Sequence, residues 1–201
     1  MHVVNPQIRQ QMQDASWIRR MFETGLELKQ RVGADKVFDF SLGNPDVPPP
    51  PGTADVLRRL ADRAGQPMAL GYCPNAGLPS ARAALARKIA AEQQVPVEAR
   101  HVLLTCGAAG GLVTFFRAVL EPGDEVLCPA PYFVEYGAYA GHFGRVLRTV
   151  PARPPDFELD VAALEAAIRP RTRVVIVNSP NNPAGTVYGE AMAAGLPVVG
   201  W

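Results

Sequence analysis

Three short runs carry residue types suited to holding a ligand. The first, Thr105 to Leu112, reads Thr-Cys-Gly-Ala-Ala-Gly-Gly-Leu. A strand ends there, a glycine turn follows and a helix begins. Such a junction aims free backbone N–H groups at one spot, backed by the positive end of the helix dipole. It suits an anion, most naturally a phosphate. The same small residues would also serve a tight turn that lets the helix pack closely. The second run, Pro129 to Tyr136, places Tyr132 and Phe133 on a proline-stiffened loop. A flat ring there stacks on a planar ligand or fills the core. The third, Asn178 to Gly185, sets Asn182 between Asn181 and Pro183. An amide so placed donates to a ligand, or the run is a plain proline turn.

Around these runs the sequence alternates between strand and helix patterns. Helices are predicted over Ser16 to Arg31, Thr53 to Ala64, and from Pro79 with Leu85 and Ile89 inward. Val37 to Leu42 predicts a short strand, and the proline-rich stretch from Gly43 to Pro51 an extended crossing. From His101 the order is strand to Thr105, helix Gly107 to Leu120 and strand Glu125 to Cys128. A helix Val134 to Ala140, a strand Arg145 to Val150, a helix Asp160 to Ile168 and a buried strand Arg173 to Asn178 follow. This is the signature of an α/β domain with a mostly parallel sheet flanked by helices. All three runs fall at carboxyl ends of strands, where open α/β sheets bind ligands. Phosphate donors, a stacking ring and a fixed amide together describe a phosphorylated aromatic cofactor better than a nucleotide. A P-loop is excluded, since no Lys-Ser/Thr follows the glycines.

Composition removes other classes. The 201 residues carry a net charge of +1, which argues against a nucleic-acid footprint. No apolar run has the length of a membrane span, and the amino terminus has no signal-peptide core, so the cytoplasm is the expected location. The cysteines Cys73, Cys106 and Cys128 and the histidines His2, His101 and His142 show no metal-ligand spacing.

Several ordered motifs resemble the class I/II aminotransferases, the fold-type-I enzymes that use pyridoxal 5′-phosphate. They are Phe38 to Asp46, Tyr72 with Gly77, the Gly107-Ala108 turn, Pro122 to Val126, Pro131 to Phe133, and Asn178 to Gly185. The resemblance implies an incomplete fold-type-I large domain with part of the small domain at its amino terminus. Residues 1–50 would be the small-domain part, 51–188 the partial cofactor-binding domain and 189–201 an atypical tail. It implies that Gly107, Ala108 and Ala109 donate to the cofactor phosphate, that Phe133 stacks on the pyridine ring and that Asn182 bonds its phenolic oxygen. Gly43 would meet the substrate carboxylate. Tyr72 would reach the phosphate of a neighbouring subunit, which implies a homodimer. The substrates would be an amino acid and a 2-oxo acid.

The same resemblance calls for a Schiff-base lysine. The lysines present, Lys29, Lys36 and Lys88, all precede the cofactor runs and none has the family's setting. The expectation is a truncated or joined product, with a catalytically inactive remnant as the alternative, at most a weak phosphate or cofactor binder. The tail from Glu190 to Val198 is similar to a Glu-Ala-x-Ala-x-Gly-x-Pro-Val motif of retaining glycosyltransferases. A sugar-nucleotide transferase fragment is the third reading.

Overall fold

The computed structural model describes residues 3–6, 8–10, 16–40, 43 and 47–189. The tail beyond Gly189 lies outside the described residues. The chain divides into two compact units, 1–72 and 73–201.

In the first unit, helix α1 spans Ser16–Val32 and α2 spans Thr53–Arg63, as their periodicity predicts. The expected strand after α1 does not form among the described residues: a 3-10 turn occupies Ala34–Lys36 and residues 37–40 run on without a ladder. The alternation there faces the opposite way to its hydrophobicity. Phe38 and Phe40 are exposed, whereas Asp39 is turned in and accepts a 2.9 Å hydrogen bond from Lys29 Nζ. The ion pair with α1, rather than apolar burial, sets the facing of this segment. On α2 the apolar residues Val56, Leu57 and Leu60 are exposed.

The second unit opens on α3, Pro79–Gln93, with the proline in the first turn, where its missing N–H costs nothing. Ala86 is its buried residue and Leu85, expected inward, is exposed. The strand expected over His101 to Thr105 is also absent. A 3-10 turn covers Ala99–His101, and the next residues are unpaired with any strand. Their polar groups are taken elsewhere: Arg82 donates to the carbonyls of Val102 (2.7 Å) and Ala99 (2.6 Å), and Leu104 N–H donates to Ala76 O. A backbone satisfied by a side chain has no need of a ladder.

Helix α4, Gly107–Val119, leads into strand β1, Glu125–Ala130. Helix α5 (Glu135–Gly141), strand β2 (Val146–Pro151), helix α6 (Val161–Ala167) and strand β3 (Thr172–Val175) follow. The sheet order is β2-β1-β3, and both pairings are parallel. This confirms the α/β class and the mostly parallel sheet. β1 is central, and its neighbours Val126 and Leu127 are both fully buried on opposite faces. Val126 packs with Phe116, Leu120 and Ala140 under α4 and α5. Leu127 packs with Val150 and Leu164 under α6. Each such burial is worth about 1.5–3 kcal/mol, so helices on both faces hold the central strand in place. β3 is shorter than the expected Arg173 to Asn178 and only half-buried. Asp160 caps α6, accepting from Ala163 N–H at 2.9 Å on Oδ1.

Candidate functional site

α4 and β1 are joined by a short turn and share the cluster of Phe116, Leu120 and Val126, so they run antiparallel. Thirteen helical residues and six strand residues are of similar length, ~20 Å. The amino terminus of α4 therefore lies toward the carboxyl ends of the strands. Gly107, Ala108 and Ala109 are exposed there. Gly107 has φ +69° and its N–H turns back to Thr105 O. Cys106, the N-cap, gives no side-chain cap. Helix geometry gives the amides of Ala108 and Ala109 no intrahelical acceptor, and such first-turn amides are the kind that take an anion.

The loops that leave β1 and β3 frame a cavity of about 320 Å³, at the low end of the ~300–1,000 Å³ usual for small-molecule sites. Phe133, Tyr136, Asn178, Ser179, Pro180 and Asn182 line it. The structure thus brings Phe133 and Asn182 to one cavity, while Gly107, Ala108 and Ala109 do not line it. Tyr72 and Gly43 belong to the first unit, and both are exposed.

Five interactions shape the cavity. The ring of Tyr136 meets Phe133 edge to face, with centroids 5.6 Å apart. Asn178 Oδ1 accepts from the N–H of Asn182 at 2.9 Å and so folds the third run back on itself. Ser179 Oγ accepts from Tyr188 N–H at 3.0 Å. Asn181 is buried, its Nδ2 donating to Pro131 O at 3.3 Å and its Oδ1 accepting from Ala184 N–H at 3.0 Å.

Burial keeps three groups of this region, Cys128, Tyr136 and Tyr188, in their neutral forms. Burial pushes the Cys128 thiol up to about 12. Burial, and then the neighbouring Cys128, raise the phenols of Tyr136 and Tyr188. At neutral pH these groups add no negative charge beside the cavity. The cavity itself offers an aromatic face in Phe133 and an amide in Asn182, the features a planar ring with a hydrogen-bonding oxygen would need.

Asn178, Tyr136 and Asn181 are the residues that sequence reasoning passed over. Tyr136 had a usable signal, being three residues after Phe133 at the start of a helix, where i and i+3 share a face. Asn178 also had one, as a polar residue ending an apolar strand. Asn181 had none, because its partner Pro131 is far away in the chain.

The sequence model of the family described as aminotransferase class I and II matches residues 35–192. The chain is similar to a probable aspartate/prephenate aminotransferase of Thermus aquaticus, 37% identical over 172 residues, which cover 85% of this chain and 43% of that protein. The corresponding protein of Aquifex aeolicus is 36% identical over 155 residues, covering 77% of this chain and 38% of its own. Among solved structures, an aminotransferase from Eubacterium rectale superposes with a TM-score of 0.87 at 39% identity, covering 95% of this chain and 48% of that one. The aspartate aminotransferase of Thermus thermophilus with maleate gives 0.75 at 32% identity, with the same two coverages, 95% and 48%. The chain belongs to the aminotransferase class I and II family. Pyridoxal 5′-phosphate is that family's cofactor, and the fold is the incomplete fold-type-I domain its sequence implies. The chain spans less than half the length of these relatives.

Proposed function

We propose that this chain forms part of a pyridoxal phosphate-dependent aminotransferase that moves an amino group between an amino acid and a 2-oxo acid. The observation that carries the reading is the convergence of Phe133 and Asn182 on one cavity from the ends of two neighbouring parallel strands. The bound cofactor would supply an electron sink for removal of the substrate's α-proton. Phe133 would hold the ring by stacking, and Asn182 would orient it by an amide donor to its phenolic oxygen. The open amides of Ala108 and Ala109, with Gly107 setting the turn, would take the phosphate. Gly43 would meet the substrate carboxylate. Tyr72, fully exposed, would be free to reach a second subunit in a homodimer. The cytoplasm is the location we infer.

A second reading, a cofactor binder without turnover, draws support from the lysines. Lys29 is paired with Asp39, Lys88 with Glu92, and no lysine lines the cavity. The similarity of the tail to a glycosyltransferase motif stands apart from both readings, on residues outside the described structure.

Titration with pyridoxal phosphate, followed by absorbance and induced circular dichroism, tests the binding shared by the first two readings. Saturable binding that weakens in Phe133→Ala and Asn182→Ala supports it, and parent-like binding in both variants overturns it. Amino transfer from aspartate, the substrate named for the relatives, then tests the first alone. Turnover above the rate of free cofactor favours the enzyme. Binding without turnover is the outcome both readings allow for a chain that spans less than half of its relatives.

A further inference from the structure

Asn181 is only 7% exposed, yet it does not line the cavity. Each half of its amide serves a different loop. Oδ1 accepts from Ala184 N–H at 3.0 Å and closes the turn that contains Asn182. Nδ2 donates at 3.3 Å to the carbonyl of Pro131, fifty positions earlier and two residues before Phe133. Its own backbone is tied to the end of the third run and the residue after it, N–H to Thr186 O at 2.8 Å and carbonyl to Gly185 N–H at 2.7 Å. A turn alone would need only the Oδ1 acceptor. The donor to Pro131 is additional, and it spans the gap between the two loops.

We propose that Asn181 is a positioning residue that locks the loop bearing Asn182 to the loop bearing Phe133, so that amide and ring keep a fixed separation across the cavity. The role rests on the reading of that cavity as the cofactor site. The chemistry is specific to asparagine. Its acceptor must face an N–H and its donor a carbonyl, so only one orientation of the amide satisfies both. Aspartate keeps the acceptor for Ala184 but sets a carboxylate oxygen against the carbonyl of Pro131. Alanine leaves both backbone groups without their partner, which is costly for buried groups.

The test uses the full chain with Asn181→Asp and Asn181→Ala, and two readouts. The first is amide hydrogen exchange without ligand. In both variants exchange should quicken at Tyr136, whose N–H donates to Phe133 O. At Ala184 it should quicken in Asn181→Ala and stay slow in Asn181→Asp. Amides of Val126 and Leu127 in the central strand should keep the parent rate. The second readout is pyridoxal phosphate binding, expected to weaken about three- to tenfold, the range one hydrogen bond supports, with an altered induced circular dichroism. Parent-like exchange at Tyr136 in Asn181→Asp overturns the proposal. So does acceleration spread evenly over the central strand, which would mark a merely structural role. Should the parent itself not bind pyridoxal phosphate, the cofactor reading fails, and hydrogen exchange alone decides whether Asn181 couples the loops. Should Asn181→Ala not fold, Asn181→Asp decides.

Discussion

The rings of Phe133 and Tyr136 stand edge to face, their centroids 5.6 Å apart and their planes at 82°. Tyr136 is 4% exposed and anchored in α5, whereas Phe133 is half-buried on a loop. The buried ring therefore braces the exposed one, and the pair is worth about 0.5–1.5 kcal/mol beyond area burial. Tyr136→Ala should destabilise the second unit by about 3–5 kcal/mol, as large aromatic truncations do. Tyr136→Phe keeps the ring pair and should lose far less. Urea denaturation followed by circular dichroism measures both, and equal losses in the two variants would remove the ring pair from the account.

At the opposite end of the strands from the cavity, Arg148 Nη1 donates to Glu125 Oε2 at 2.8 Å, joining the first residue of β1 to β2. Thr172 Oγ1 donates to the same oxygen at 3.2 Å from the start of β3. These bonds, with Arg148 foremost, hold the Glu125 carboxyl below its ordinary value of 4.5. A depressed folded value means the stabilisation is present above the unfolded value and lost as pH falls through the folded one. Glu125→Gln should lower the urea midpoint at pH 7, and the gap from the parent should narrow as the pH falls below the ordinary value of 4.5 and through the lower folded one. A gap that persists unchanged to pH 2.5 would show that the charge on Glu125 is not what joins the strands.

The positions that sequence patterning captured are those where one local signal decides the outcome. The apolar run from Val126 to Cys128 is a strand as its residue types predict, and Asp160 before an apolar stretch caps a helix. Phe133 and Asn182 were legible because proline fixes the backbone on which each is presented. The misses depend on partners far along the chain. Whether His101 to Thr105 pairs as a strand turns on Arg82, which takes the Val102 carbonyl instead. Asp39 faces inward because Lys29 waits for it, against the apolar alternation around it. Asn181 looked like spacing in a proline turn until its donor met Pro131.

Cysteine reactivity offers a chemical reading of the same burial. Cys73 and Cys106 are exposed, and Cys128 is buried with its thiol pushed up to about 12. The thiolate is the reactive form, so Cys128 lacks both access and ionisation at pH 8. A disulfide reagent such as Ellman's should modify Cys73 and Cys106 in the folded chain and reach Cys128 only after denaturant is added. Peptide mapping identifies the modified residues. Prompt labelling of Cys128 in the native chain would contradict the packing around β1.

Gly107 allows the phosphate role of α4 to be separated from simple stability. Its φ of +69° lies in the left-handed region, and a Cβ added there would meet no atom within 4 Å. Gly107→Ala therefore carries a conformational cost of about 1–2 kcal/mol without a clash. Gly144, at φ +70° with equally open surroundings, gives a matched control beside the amino end of β2, away from the cavity. The two variants should lose similar stability. They should differ in how strongly each prefers pyridoxal phosphate over pyridoxal, which lacks the phosphate. The charge interaction at a helix terminus is worth about 0.3–2 kcal/mol, so the parent should favour the phosphorylated form by up to roughly thirtyfold. Gly107→Ala should shrink that preference by tilting the Ala108 and Ala109 amides out of line, while Gly144→Ala should keep it. Paired titrations with the two compounds give the ratio directly. An unchanged ratio in Gly107→Ala would move the phosphate away from the start of α4.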